Sequence, residues 1–249
     1  YANCFIITGA INSSLFFCPR ETMEKFLIND EQVQQRVVNS LEKLWDLTDD
    51  LVEFYPRYKE YTVTVFGSAR IAEESQVYKD VFDFASNLAR LECNVVTGGG
   101  PGVMEAANRG AIAGKLAQSP VKSVGINIEL PFEQKNNLYL DESFPHKTFF
   151  TRLQHFTAVS DCFVAFYGGI GTVLEILTIL QLMQVKKIEN HKLILVGSMW
   201  RGLIQWFETE MLKDDMQLIH SGDLMIPKLV DHYQDALEII KQHKAQQDL

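Results

Sequence analysis

The chain has few cysteines. Its cysteines are Cys4, Cys18, Cys93 and Cys162, which form no CxxC pair and have no histidine at metal-ligand spacing. This spacing argues against a structural zinc site. Cys93 and Cys162 stand in apolar runs, so we expect both to be small core residues in a reducing cytoplasm.

Positive charge is also scarce. Lys and Arg number 23 against 32 Asp and Glu, which gives a net charge of −9, and no Lys/Arg run is present. Such a balance provides no field that would attract a polyanion. We therefore do not expect general DNA or RNA binding, although a single nucleotide could bind in a local pocket.

Long hydrophobic runs are missing as well. The stretch 4–18 is the nearest to one, but Thr8, Asn12 and Ser13 interrupt it and no basic segment precedes it. A membrane-spanning helix needs roughly 20 mostly apolar residues. We expect neither a signal peptide nor a membrane span. With 249 residues, 47% of them hydrophobic, the chain can build a core without disulfides or a metal.

Two kinds of apolar pattern divide the chain. Over 20–58, apolar residues recur at three- and four-residue steps, which predicts an amphipathic helical extension. Beyond it, short apolar runs alternate with helical patterns, as in a parallel sheet covered on both faces. The predicted strands are 62–66, 94–97, 123–128, 162–166 and 193–196, and the predicted helices lie near 75–91, 102–113, 150–159 and 172–183. We predict an α/β, doubly wound, Rossmann-like fold, with an N-terminal helical extension over 1–60 and a nucleotide-binding domain over 61–249.

Glycine clusters follow three of the predicted strands, where ligands bind in open parallel sheets. The clusters are 98–102 and 168–171, and the Gly-Ser turn at 67–68 is counted with them as the first. Glycine lets a backbone approach a ligand closely, and helix-opening amides can bind an anion, although each cluster could also be a tight strand-to-helix turn. Glu175 lies one turn into the last predicted helix. It either takes part in the chemistry, binds a ribose hydroxyl, or is an ordinary first-turn glutamate favoured by the helix dipole. Neither a Walker A motif nor GxGxxG with its acidic partner is present, which disfavours an ATPase and a hydride-transfer enzyme.

The motifs themselves resemble a known family. The segments 98–111 (GGGPGVMEAANRGA) and 168–175 (GGIGTVLE) look like those of the LOG (Lonely Guy) family, which comprises cytokinin riboside 5′-monophosphate phosphoribohydrolases and related nucleotide nucleosidases. The segments 65–70 (VFGSAR), 123–134 and 184–188 are similar to its longer bacterial branch. Members of the family are often labelled "lysine decarboxylase-like". No lysine stands in a recognisable pyridoxal phosphate context, so the sequence itself does not support decarboxylation.

The resemblance implies a set of site residues. It makes Arg152, nine residues before Asp161, and Glu175 the catalytic pair, and Glu133 a nucleotide contact. The residues that it implies for substrate and phosphate binding are Gly67, Ser68, Gly98, Gly99, Gly100, Gly102, Met104, Glu105, Glu133, Gly168, Gly169, Ile170, Gly171 and Thr172. Glu175 would stabilise an oxocarbenium-like transition state. Arg152 would either hold the phosphate or polarise the leaving base.

Three positions beside these motifs differ from the family pattern: Tyr167 replaces Pro, Leu153 replaces Lys and Leu174 replaces an acidic residue. They leave three functions open. The first is hydrolysis of a nucleoside 5′-monophosphate, with AMP or an N6-substituted AMP as substrate. The second is a non-catalytic nucleotide or molybdenum-cofactor carrier, and the third is a dimer that has lost its ligand.

The resemblance also implies a cytoplasmic homodimer, built on the helices after the glycine motif, that needs no cofactor and no metal. His146 and His155 flank Arg152 in sequence. His155 is more consistent with a packing role than with contact to a base. Trp200, Trp206 and Phe207 are expected in the core or an interface.

Overall fold

The computed structural model describes residues 57–129, 136–213 and 217–247, together with five residues of the extension. The chain divides into two compact units, Tyr1–Asp49 and Asp50–Leu249. In the first unit the described residues are all helical, namely Val33, Gln35, Arg36, Asn39 and Ser40. The other positions of the predicted helical extension before residue 57 lie outside the described residues, so that extension stays a prediction.

The second unit contains a seven-stranded sheet. Its strands are β1 (Thr62–Phe66), β2 (Asn94–Thr97), β3 (Ser123–Ile128), β4 (Glu142–His146), β5 (Cys162–Ala165), β6 (Lys192–Val196) and β7 (Pro227–Val230). They are ordered β4-β3-β2-β1-β5-β6-β7, and every pair is parallel. The predicted α/β, doubly wound, Rossmann-like fold is confirmed.

Helices cover both faces of this sheet. The described α-helices are α1 (Gln76–Arg90), α2 (Val103–Gly114), α3 (Phe149–Val159), α4 (Ile170–Gln184), α5 (Trp200–Trp206) and α6 (Tyr233–Gln247). Residues of α1, α2 and α6 form one apolar cluster with the sheet, and residues of α3, α4 and α5 form a second. Strand β1 is buried along its whole length between the two clusters, as expected for a sheet covered on both sides.

Ring packing in the second cluster fixes helix α3 against the sheet. Phe156 meets Phe66, the last residue of β1, edge to face with ring centroids 5.2 Å apart. Both rings are buried, so the contact adds ring geometry to the burial energy. Arg152 precedes Phe156 by one helical turn, and this packing therefore determines where the arginine lies.

The two strands that the sequence analysis missed are the edges of the sheet. β4 and β7 each pair with a single neighbour, and each contains a proline, Pro145 and Pro227. Proline is tolerated at an edge because its missing N–H faces away from the ladder. Edge strands also lack the continuous apolar run by which the inner strands were found: β4 has only one buried residue, His146.

The strand order reverses between β1 and β5. From β1 the chain adds β2, β3 and β4 on one side, whereas from β5 it adds β6 and β7 on the other. The connections that leave the two central strands therefore run to opposite sides, and the crevice at this point is the usual ligand site of this architecture. These loops carry the first and third glycine clusters.

Candidate active site

A cavity of about 470 Å³ lies at the carboxyl ends of the central strands. Pockets of some hundreds of cubic ångströms accommodate small ligands. Among the residues expected at the site, those lining the cavity are Gly67, Ser68, Gly98, Gly100, Met104, Arg152, Gly169, Ile170, Gly171, Thr172 and Glu175. The structure thus brings together residues from three glycine clusters and three helices.

The loop after β1 connects the two larger glycine loops. The Ser68 N–H donates to the Tyr167 carbonyl at 2.9 Å, and the Ser68 carbonyl accepts from the Val103 N–H at 3.0 Å. The second bond pairs the first amide of α2, that of Val103, with the loop after β1. The Val103 amide is therefore not available to an anion.

Helix α4 opens directly into the cavity. Its N-cap is Gly169, and no side chain caps it. The amides of Ile170, Gly171 and Thr172 belong to the first turn, which has no intrahelical acceptor. All three residues line the cavity. Together with the helix dipole, these amides form a site suited to an anion.

Glycines at the cavity serve two different purposes. At Gly98 an added Cβ would overlap the Arg152 guanidinium and lie 2.7 Å from Met104 Sδ, so this glycine makes room for the arginine. At Gly169 and Gly171 an added Cβ would meet nothing within 4 Å. Because the protein itself does not require glycine at these two positions, the space above them is available to a ligand.

Arg152 and Glu175 form an ion pair on the cavity wall. Arg152 Nη1 lies 3.4 Å from Glu175 Oε1, and their side chains are only 11% and 13% exposed. The Arg152 Nε donates to the Ile126 carbonyl at 2.8 Å, and the guanidinium lies 5.2 Å from the centre of the Phe156 ring. The arginine is thus held by strand β3 and helix α3, and the pair is not a surface salt bridge.

Burial changes the proton affinity of both members. It raises the pKa of Glu175 to about 7, although the charge of Arg152 opposes the shift. Burial also lowers the pKa of Arg152, and Glu175 opposes that shift. A carboxyl group with a pKa near neutrality can gain or lose a proton at working pH, as acid–base chemistry requires.

An amide network supports the 98–102 loop, and sequence reasoning missed it. Asn127 Nδ2 donates to the Gly98 carbonyl at 3.3 Å, and Asn137 Nδ2 donates to the Gly100 carbonyl at 3.0 Å. Asn127 Nδ2 also lies 2.7 Å from Asn136 Oδ1. Asn127 and Asn136 line the cavity. The only sequence feature that could have indicated this network is the presence of three asparagines within 127–137.

Other expected site residues lie away from the cavity lining. An added Cβ at Gly102 would lie 2.5 Å from the Ser68 carbonyl, and at Gly168 it would overlap Thr172. Glu105 accepts from the Tyr78 hydroxyl at 3.4 Å. Gly99 faces Asn127, and its φ is +71°. Glu133 lies outside the described residues.

The three positions that differ from the family pattern are also absent from the described lining. The ring of Tyr167 packs against Gly197, and its hydroxyl lies 3.5 Å from Ser198 Oγ. Leu153 is partly buried, and Leu174 is 44% exposed. The Arg152–Glu175 pair is present although these three positions differ.

His146 and His155 form a buried pair behind Arg152. His146 Nε2 lies 3.0 Å from His155 Nδ1, and His146 Nδ1 lies 3.0 Å from Thr151 Oγ1. Burial lowers the pKa of both rings, that of His155 to about 4. The packing role expected for His155 agrees with these contacts, because a neutral pair joins β4 to α3.

Three features are absent from the described part of the chain. No lysine lines the cavity among these residues, so its lining offers no anchor for pyridoxal phosphate. Within the same ranges, no three His, Cys, Asp or Glu residues are grouped so as to hold a metal ion. No described helix is long and apolar enough to cross a membrane.

Comparison with known proteins identifies the family. The family model described as "possible lysine decarboxylase" matches residues 104–240, more than half of the chain. The chain belongs to this LOG-type family. The matched region contains Arg152 and Glu175 and most of the cavity-lining residues. No curated protein matches the chain significantly.

Solved structures share the LOG-type fold. The molybdenum cofactor binding protein of Rippkaea orientalis is 17% identical with a TM-score of 0.54, covering 74% of this chain and 97% of its own. The molybdenum cofactor carrier protein of Chlamydomonas reinhardtii is 19% identical, with a TM-score of 0.55. The match covers 75% of this chain and 99% of the carrier protein. The protein TM1055 is 22% identical, with a TM-score of 0.54. The match covers 73% of this chain and 99% of TM1055. At these identities the likeness establishes the fold alone.

Proposed function

We propose that the protein hydrolyses the N-glycosidic bond of a nucleoside 5′-monophosphate, releasing the free base and ribose 5-phosphate. AMP or an N6-substituted, cytokinin-type AMP is the proposed substrate. The observation that carries the proposal is the nearly buried Arg152–Glu175 pair on the wall of a cavity that also contains an uncapped helix N-terminus.

Glu175 would act on the sugar. Cleavage passes through a transition state with positive charge at the anomeric carbon, and a carboxylate held close to it stabilises that charge. In a site with little water this interaction is stronger than in solution. The same carboxyl, with its pKa near 7, can orient or deprotonate the attacking water.

Arg152 would act beside Glu175. Its bond to the Ile126 carbonyl and its position over Phe156 hold the guanidinium rigidly. A fixed guanidinium can donate to a ring nitrogen of the leaving base or to a sugar hydroxyl. Its nearness to Glu175 also keeps part of the carboxyl population ionised.

The second candidate is a non-catalytic nucleotide or molybdenum-cofactor carrier. Structures named for molybdenum cofactor binding share the fold. The start of helix α4, with its glycines at the cavity, would serve a carrier equally well. A carrier, however, gains nothing from a buried carboxylate beside an anion site. The electrostatic cost of Glu175 therefore favours hydrolysis.

We also propose a cytoplasmic homodimer formed through helix α4. Ile170, Leu174 and Leu177 are 87%, 44% and 38% exposed, and their spacing places them on one face of the helix. Ile170 also lines the cavity, as does Phe149, which is 51% exposed. An apolar face continuous with the cavity mouth suits a second copy of the chain that closes the site.

The experiment that tests the function uses a panel of nucleoside monophosphates. Purified protein is incubated with each, and free base and ribose 5-phosphate are measured. We expect release from an adenine nucleotide and none from adenosine. Binding of the monophosphates without any release would reject the hydrolase and support the carrier.

A further inference from the structure

Arg70 lies at the end of the loop that follows β1. Its backbone N–H donates to Ser68 Oγ at 3.1 Å, which fixes the turn. Its side chain is exposed and lines the cavity. Within the described ranges, no carboxylate or carbonyl accepts a hydrogen bond from its guanidinium. The side chain is therefore available to a ligand.

The charges around the cavity are not balanced. The charged side chains among the described lining residues are Arg70, Arg152 and Glu175. Arg152 and Glu175 compensate each other as an ion pair. Arg70 is left as one uncompensated positive charge, and a cavity of this kind favours a ligand that carries negative charge.

Arg70 and the first residues of helix α4 line the same cavity. The Ser68 N–H bond to the Tyr167 carbonyl joins the two loops. Arg70 lies two residues beyond one end of this bond, and Gly169, the N-cap of α4, lies two residues beyond the other. Arg152 is instead anchored to β3 through the Ile126 carbonyl.

We infer that Arg70 is the specificity-determining residue that binds the 5′-phosphate of the substrate, together with the first-turn amides of α4. A guanidinium can form two parallel bonds to a phosphate. Arg70 then selects nucleotides over nucleosides, and Arg152 acts on the sugar and base. This assignment rests on the proposed function for the identity of the ligand.

The test is a binding measurement that needs no turnover. Calorimetry with ribose 5-phosphate and with ribose compares wild type with Arg70→Gln, Arg70→Lys and Arg90→Gln. Arg90 is an exposed arginine on α1 outside the cavity lining, so its variant removes the same charge elsewhere. We expect Arg70→Gln to weaken ribose 5-phosphate binding by about 10- to 100-fold, the range of a charge-assisted hydrogen bond. Arg70→Lys should restore part of the loss, and Arg90→Gln should change little.

Different results would overturn different claims. Unchanged affinity for ribose 5-phosphate in Arg70→Gln would show that Arg70 does not bind the phosphate, as would an equal loss with Arg90→Gln. A larger loss for ribose than for its phosphate would place Arg70 at the sugar. If the phosphate contact is confirmed but wild type releases no base from any monophosphate, the phosphate assignment stands and hydrolysis fails.

Discussion

At the scale of single residues, the site depends on a carboxyl group whose charge is costly. Glu175 is nearly buried, and its pKa lies near 7 despite the adjacent Arg152. A glutamate in water would be fully ionised at that pH. The fold thus retains a group that is destabilising when charged, as is common for residues that act on a substrate.

The raised pKa leads to a prediction about pH. If the carboxylate is the active form, kcat/KM for AMP should rise with pH and level off above about 7, because kcat/KM reports the titration of the free enzyme. The measurement is kcat/KM from pH 5.5 to 8.5. The affinity for ribose 5-phosphate over the same range is the control, since the phosphate itself titrates near pH 6. A profile that falls with rising pH would instead make the protonated form of Glu175 the active one.

At the scale of elements, the start of helix α4 forms the floor of the cavity. Gly169 has a φ of −95° and a ψ of −159°, a conformation open to other residues. Its neighbour Gly168 differs, because a side chain there would overlap Thr172. Packing therefore requires glycine at position 168 but not at position 169, where the space above the backbone is open to the cavity.

This difference predicts the effect of Gly169→Val. The valine should fold without strain and fill the ligand space, so AMP affinity should fall at least about 100-fold while the melting temperature changes by only a few degrees. Gly202→Val on α5 is the matched control, because an added Cβ there also meets nothing within 4 Å. Calorimetry and thermal unfolding measure the two effects. Full AMP binding by Gly169→Val would contradict the floor assignment.

The elements themselves were largely predictable from sequence. The bounds of β1, β2 and β3 follow from buried apolar runs, whereas β4 and β7 lacked such runs because they are edges. The amides that support the 98–102 loop were not predictable. Asn127 and Asn137 reach Gly98 and Gly100 only because segments 29 and 37 residues apart in sequence meet in the folded chain. Whether a glycine borders open space, as Gly169 does, or packs against Thr172, as Gly168 does, likewise depends on the folded backbone.

At the scale of the whole molecule, the apolar face of α4 predicts the oligomeric state. Leu177→Glu would place a charge within the proposed contact and should convert the dimer to a monomer, because an unpaired charge is costly in an apolar interface. Sedimentation velocity measures the change. Ile112→Glu on α2, at the same 38% exposure, is the control and should remain dimeric. A monomeric wild type, or equal dissociation by the control, would contradict the proposed contact.

The most direct measurement compares wild type with Glu175→Gln on AMP, recording kcat by release of ribose 5-phosphate and affinity by calorimetry. The amide keeps the shape of the side chain and removes its charge. If that charge stabilises the transition state alone, kcat should fall about 100- to 1,000-fold while AMP affinity changes little. An unchanged kcat, or a loss of affinity that accounts for the whole effect, would contradict a catalytic role for Glu175.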